Sequence, residues 1–325
     1  MEASGANEVQ TSLKQAPDRV AVCVCTKNRR AMFLRCFNSL LNQRVPQGSL
    51  DLSLVVVDNS SDAEERDTVV HHQDGEVPVL YVHEPRAGIP AARNAALEAA
   101  KTLTPDWIVF IDDDEIAPPD WIARLHACAV HYGADVTSGG VVQAATAEGA
   151  RAGAESWIVP NVYGEARDRP TCPTCNVIFR SWIADAPLSL RFDEAMLHGG
   201  SDSEYFMRAA QSGARIINVK DAAVYEEFPP ERQALSYQCM RSFRVGTTTN
   251  YRYLKNLGSW RGAITVTLSA LNKFGSAIVG VLVAVVAFPF SRTTALRNVR
   301  RSAKAASYAI GCLGPAFGIR PNRYW

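Results

Sequence analysis

The sequence predicts an α/β fold: a doubly wound, mostly parallel sheet followed by a helical, membrane-associating C-terminal region. Three observations carry that expectation. Short apolar runs alternate with helical patterns over the first 130 residues, which is how successive βαβ units read. The run Trp107-Ile108-Val109-Phe110-Ile111 passes directly into Asp112-Asp113-Asp114-Glu115, as a buried strand does where it leaves the core. Residues 232–325 hold 14 Lys and Arg and no Asp or Glu, around an uncharged apolar stretch.

Taken in order, Val20–Cys25 is a strand, and Thr26-Lys27-Asn28-Arg29-Arg30 is a polar, ligand-capable turn before an amphipathic helix through Leu34, Phe37, Leu40 and Leu41. Leu52–Val57 is a second strand closed by Asp58-Asn59-Ser60-Ser61, with a helical pattern from Asp62. Val79–Val82 is a third, after which Pro90 opens an Ala-rich helix that carries Arg93 and Asn94. The acid-tipped strand 107–111 follows, then Pro118 and Pro119, and Asp120 is expected to cap a helix from Trp121. Ala134–Val142 reads as one more strand, and 143–174 as an irregular, substrate-facing loop. Strand character resumes over Asn176–Arg180, and a helix follows from Glu204 behind Gly199 and Gly200.

Four adjacent carboxylates repel one another unless a cation or a set of donors neutralises them. An acidic run is often only a solvated turn. These acids, however, stand at the carboxyl edge of a strand, where open α/β sheets bind ligands. Asp112 and Asp114 have Asp-x-Asp spacing, and such hard oxygen ligands suit Mg²⁺ or Mn²⁺ shared with substrate phosphates. Asp202 has two readings on the residues alone, a helix cap or a general base.

The five motifs Val-Cys-Thr-x-Asn-Arg, Val-Val-Asp-Asn-Ser, His-Glu-Pro-Arg-x-Gly-Ile-x-x-Ala-Arg-Asn, Phe-Ile-Asp-Asp-Asp-Glu and Gly-Gly-x-Asp-x-Glu-x-Phe occur in that order. Together they resemble bacterial glycosyltransferase family 2, in particular its branch in exopolysaccharide assembly that includes succinoglycan glucosyltransferases, over about residues 19–230. The resemblance implies a GT-A fold, a nucleotide-diphospho-sugar donor with UDP-glucose foremost, a lipid-linked saccharide acceptor and inversion at the anomeric carbon. It places Thr26, Asn28, Arg29, Asp58, Arg93, Asp112 and Asp113 at the donor, with Asp58 reading the base. It makes Asp114 the metal ligand and Asp202 the base. Three departures stand out. Lys27 replaces a common aromatic. Ser201 replaces the usual Glu before the base, which leaves room for a protein that binds nucleotide-sugar without transferring it. Gln238-Cys-Met-Arg241 is followed by Ser242 rather than Trp, which favours single-sugar transfer over polymerisation.

The expected division is a disordered tail over 1–18, a catalytic domain over 19–231 and a basic, apolar helical region over 232–325. Residues 1–18 have no apolar segment of signal-peptide type. The eight cysteines lie mostly in apolar runs, which points to a reducing compartment, and Cys172-Pro-Thr-Cys175 is a lone pair without the partner pair of a zinc site. Phe274–Ser291 is uncharged and flanked by Lys and Arg. That pattern suits an anionic membrane at the cytoplasmic face of the bacterial inner membrane, with a buried core helix as the rival and nucleic acid disfavoured.

Overall fold

The structure is a computed structural model that describes residues 16–72, 75–155, 165–197, 199–228 and 230–317. The expected tail therefore lies mostly outside the described residues. Its last residue does not: Asp18 already opens the first strand.

The first half alternates as the sequence predicts: β1 (Asp18–Thr26), α1 (Arg30–Leu41), β2 (Leu50–Asp58), α2 (Arg66–Val70), β3 (Val79–His83), α3 (Ile89–Thr102) and β4 (Trp107–Asp112). The four strands pair in parallel in the order β3-β2-β1-β4. Residues within each strand divide by parity. Val20, Val22, Val24, Trp107, Val109 and Ile111 pack against α1 and the later helix α4, whereas Ala21, Cys23, Ile108 and Phe110 pack against α3 and the later α6. Both faces are apolar because helices cover both, which is why these strands read as continuous apolar runs rather than as alternating ones.

Beyond β4 come β5 (Glu115–Ile116), α4 (Trp121–His131), β6 (Val136–Ser138), β7 (Val141–Ala144), α5 (Ala147–Glu155), β8 (Ala166–Asp168), β9 (Val177–Arg180), α6 (Ser201–Gln211), β10 (Ile216–Val219) and β11 (Val224–Glu227). Among the described residues the large sheet continues β4-β9-β6-β10-β8, with β9 antiparallel to both neighbours, and a second sheet runs β5-β11-β7. The sheet is thus parallel from β3 to β4 and mixed beyond it.

Several expectations are corrected here. The strand foreseen over 134–142 is two strands in two different sheets. Gly139 breaks it, because a Cβ there would collide with Ala222 O and the Asn176 side chain. Buried Asn176 ties this junction: its Nδ2 donates to Gly140 O at 2.6 Å and Ala222 O at 2.7 Å, and its Oδ1 accepts from Trp121 Nε1 at 2.7 Å. The span 143–174 is irregular only in part where it is described, since 169–174 has no regular structure but the stretch before it does. It begins in β7 and contains α5, whose Ala150 and Ala154, one turn apart, pack with Ile116 and Tyr225. The pattern from Asp62 yields only the five residues of α2. Asp120 does stand at the N-terminus of α4, but its carboxylate pairs with Arg124 instead of capping the backbone.

The chain ends in α7 (Pro230–Gln233) and three long helices, α8 (Leu235–Leu257), α9 (Ser259–Ala287) and α10 (Arg292–Leu313). The uncharged run does not start a helix of its own, since α9 begins at Ser259 and reaches 29 residues before the Phe288-Pro289-Phe290 turn. It is the one helix among the described residues long and apolar enough to cross a membrane, and only 17% of its apolar window is buried. A core helix would be enclosed, so the low burial argues against that rival. The buried stripe of α9 is Gly262, Val266, Ala270, Ala277 and Ala284, mostly small residues, while Leu268, Leu282 and Val286 point outward.

Helices α8 and α10 meet backbone to backbone. A Cβ on Gly246 would fall on Tyr308 O, and one on Gly311 on Phe243 O. Gly311→Ala should therefore force the two helices apart and cost about 1–3 kcal/mol, read as a lower thermal unfolding midpoint of the full chain. The same substitution at Gly275, which has open space around it, should not lower the midpoint, since Ala there only adds helix propensity.

Candidate active site

Where β1 and β4 lie side by side, strand order reverses relative to chain order, the place where doubly wound sheets open a ligand crevice. Two adjoining hollows occupy it. The first encloses about 590 Å³ and is bordered by Thr26, Arg29, Asn59, Asp113, Asp114 and Arg232. The second encloses about 440 Å³ beside Asp202, Gly200 and Arg252. Arg93, Asp112, Cys175, Arg241 and Arg244 line both, so they form one cleft with two compartments.

The acids reach the cleft because β4 ends there. Asp112 opens to the cleft at the end of β4, with its Oδ1 3.6 Å from Arg93 Nη2. Asp113 is buried; it accepts from Thr26 Oγ1 at 2.9 Å and from Arg29 Nη1 at 3.1 Å. Asp114 Oδ2 lies 3.3 Å from Arg232 and 3.6 Å from Arg29. Glu115 turns back and accepts the Asp112 backbone N–H at 3.0 Å. Burial, reinforced by the carboxylates of Asp114, Asp113 and Asp202, pushes Asp112 up to about 7 against the pull of Arg93. Burial also raises Asp113 to about 6, with Arg29 opposing and Asp114 adding.

Asp112 and Asp113 are held above the ordinary carboxylate range chiefly by burial, so added positive charge is favoured there, and the hard oxygen donors of this edge fit a divalent cation. Among the described residues no group of three or more His, Cys, Asp and Glu is arranged to hold a metal by itself. Asp112 and Asp114 would thus share a cation with oxygens of a ligand. Burial pushes the Cys172 and Cys175 thiols well up.

Arg93 is delivered by a relay of hydrogen bonds. Asn59 Nδ2 donates to Glu84 O at 2.6 Å and Arg86 O at 2.7 Å, and its Oδ1 accepts from Gly88 N at 3.3 Å, which fixes the start of α3. Buried Arg93 then spans the cleft, with its Nη1 3.5 Å from Ser201 Oγ. Asp202 follows one residue later in the first turn of α6, where its Oδ1 accepts from Ser203 N at 2.7 Å. Gly200 precedes it at φ +81°, and a Cβ there would sit 2.9 Å from Thr248 Cβ of α8.

Of the residues singled out in the sequence, the structure brings Thr26, Arg29, Arg93, Asp112, Asp113, Asp114 and Asp202 to the cleft. Asp58 and Asn28 do not line it. Asp58 is fully buried and accepts from Ser60 N and Glu65 N at 2.9 Å and from Tyr81 Oη at 3.1 Å. Its burial alone would raise it, but those donors hold it below the ordinary range. Its oxygens are spent on ordering the loop after β2, so they are not placed to read a base. Asn28 is exposed, with φ +52°, and shapes the turn after β1.

The sequence reading missed the contribution of the C-terminal helices. Arg232, Tyr237, Arg241, Arg244 and Arg252 all face the cleft. Only the Gln-x-x-Arg pattern around Arg241 hinted at it, and that pattern bears on processivity rather than position.

Residues 21–183 of the 325 match glycosyl transferase family 2. The chain belongs to that family. This family 2 glycosyltransferase is similar to the succinoglycan biosynthesis protein ExoM of Rhizobium meliloti (strain 1021), 29% identical over 307 residues that cover 93% of the chain and 94% of that protein. Its fold is similar to that of the mannosyltransferase PcManGT of Pyrobaculum calidifontis, solved with GDP-Man and Mn²⁺, at a TM-score of 0.61 and 18% identity over 92% of this chain and 88% of that one. S. aureus TarS 1–349 aligns at a TM-score of 0.50 and 16% identity over 93% and 92% of the two chains. The GT-A architecture foreseen from the motifs is the one observed.

The raised carboxylates set a pH dependence. Unfolded, Asp112 and Asp113 release their protons near 3.8, whereas folded they hold them to about 7 and about 6. Between these limits folding takes up protons, so the metal-free protein loses stability as pH rises. Melting of chelator-treated protein should occur at a lower temperature at pH 7.5 than at pH 5, and Asp112→Asn should narrow that gap.

Proposed function

We propose that this family 2 enzyme is an inverting, metal-dependent, non-processive glycosyltransferase that moves one sugar from a nucleotide-diphospho-sugar to a lipid-linked saccharide in exopolysaccharide assembly. One observation carries the reading: Arg93 and Asp112 stand where the two compartments meet, with Asp114 on one side and Asp202 on the other. The compartment of the β4 acids is the donor side and that of Asp202 the acceptor side.

On the donor side Thr26 and Arg29 fix Asp113, and Asp112 and Asp114 are the carboxylates that would hold Mg²⁺ or Mn²⁺. When bound, the cation would neutralise charge on the departing nucleoside diphosphate. Arg93, Arg241 and Arg244 add fixed positive charge at the junction, where the leaving group's charge develops. On the acceptor side Asp202 takes the proton of the attacking hydroxyl. Its carboxylate is held by the Ser203 amide, and α6 is packed by buried Tyr205 and Phe206. Direct attack from the acceptor side on a sugar whose leaving group lies on the donor side inverts the anomeric centre.

UDP and glucose are the carrier and sugar favoured by the resemblance to succinoglycan enzymes, and the ExoM similarity supports exopolysaccharide assembly as the setting. The structural neighbour holding GDP-Man with Mn²⁺ belongs to the same ligand class. The outward apolar face of α9 and the basic residues of 292–304 support attachment to the cytoplasmic face of an anionic membrane. In this reading 19–231 is the catalytic domain and 232–325 the region that attaches it, while also closing the cleft.

Asp114→Ala should abolish metal-dependent donor binding measured by calorimetry. Asp202→Asn should bind donor as the native protein does and lose transfer by roughly 10²–10⁴-fold. Equal loss of donor affinity in both would overturn the two roles, and donor binding without transfer by the native protein would indicate a sensor. Fractionated cells should hold the protein in the membrane pellet through a high-salt wash and release it with detergent. Release by salt alone would show that α9 is not embedded.

A further inference from the structure

Arg93, Arg241, Arg244 and Arg252 line the acceptor compartment, and among them Arg252 stands closest to its apolar extension. Arg93 faces Asp112, Arg232 faces Asp114 and Glu226, and Lys255 is paired with Asp193 at 2.6 Å and Glu204 at 3.2 Å. Arg252 makes no hydrogen bond or ion pair to any described residue, and its Nε is buried without a partner. Its one close neighbour is the Tyr253 ring, 5.2 Å from the guanidinium carbon. Its Nε is shut off from water while the rest of the half-buried guanidinium borders the compartment, where its free N–H donors can meet an anion.

Next to Arg252 the compartment continues into a groove of about 550 Å³ between α8 and the segment of Ala195, Met196 and Gly199, and it runs toward Pro315. The two hollows share Met196, Gly199 and Thr248. The polar groups in the groove wall are already engaged: Asn250 donates to Cys312 O at 2.6 Å, Tyr251 Oη donates to Asp193 at 3.0 Å, and Lys255 is paired with acids. Met196, Leu254 and Pro315 remain to meet a ligand, and they offer only apolar surface.

An unspent guanidinium at the mouth of an apolar groove, both opening from the pocket of Asp202, fits a ligand in which an anion is joined to an apolar chain. We propose that Arg252 and this groove are the subsite for the non-sugar end of the acceptor, with Arg252 on a lipid-linked phosphate or diphosphate and the groove around the first part of its chain. The assignment rests on the reading of the Asp202 compartment as the acceptor side. It makes Arg252 a specificity-determining residue that holds the acceptor and takes no part in bond making.

The test uses the full-length protein in detergent, with the donor compartment first saturated with UDP so that a free diphosphate cannot enter it. Farnesyl diphosphate, farnesol and inorganic pyrophosphate are then titrated by calorimetry. Farnesyl diphosphate should bind at least ten-fold more tightly than either part alone. Arg252→Gln should weaken farnesyl diphosphate at least ten-fold and leave farnesol unchanged, Arg252→Lys should recover part of the loss, and Leu254→Asp should weaken both farnesyl ligands. Unchanged farnesyl diphosphate binding in Arg252→Gln would overturn the proposal. So would farnesyl diphosphate binding no tighter than pyrophosphate, which would assign the groove to a protein segment. Failure of UDP itself to bind would count against the donor reading, whereas unchanged farnesyl diphosphate binding in Arg252→Gln with UDP bound counts against Arg252 alone.

Discussion

The carboxyl edge of β4 imposes the constraint on which the remainder of this molecule depends. A strand buried on both faces ends in four acids, and their mutual repulsion must be met within a few ångströms. Each neighbouring element answers it. The turn after β1 brings Thr26 and Arg29, α3 brings Arg93, and the C-terminal segment brings Arg232. The compensation is incomplete, since Asp112 and Asp113 hold their protons up to about 7 and about 6. Fully paired acids would make a stable, inert edge, whereas this edge keeps capacity for added positive charge.

The same balance explains the division of charge along the chain. The excess of base after residue 231 reads, in isolation, as a surface for anionic lipid. Part of it does not face outward at all. Four of the 14 basic residues, Arg232, Arg241, Arg244 and Arg252, border the cleft. The catalytic cleft is therefore a product of both ends of the chain, with acids from the sheet and guanidinium groups from the helix that closes over it.

The sheet and the acid edge were legible because both rest on local pattern. Apolar runs of strand length, a Pro near the first turn of α3 and acids after Ile111 are signals within a few residues of one another. What was not legible depended on distant partners. Asp58 carries the family motif, yet only the positions of Ser60, Glu65 and Tyr81 reveal that its oxygens are used internally. The Ala- and Gly-rich segment 147–155 looked irregular until Tyr225 supplied a surface for its small residues to cover. The arginines of α8 were assigned to lipid because nothing in their local sequence records that Gly200 lets this helix approach α6.

The contact between α8 and α10 is made by main-chain atoms at Gly246 and Gly311, with no side chain between to yield. Two helices seated in this way behave as a stiff lever. α10 lies along α9, the apolar helix, and α8 carries the arginines at the cleft, so a tilt of the hairpin is passed to the guanidinium groups with little loss. A displacement of α10 thereby has a route to the cleft through main-chain atoms.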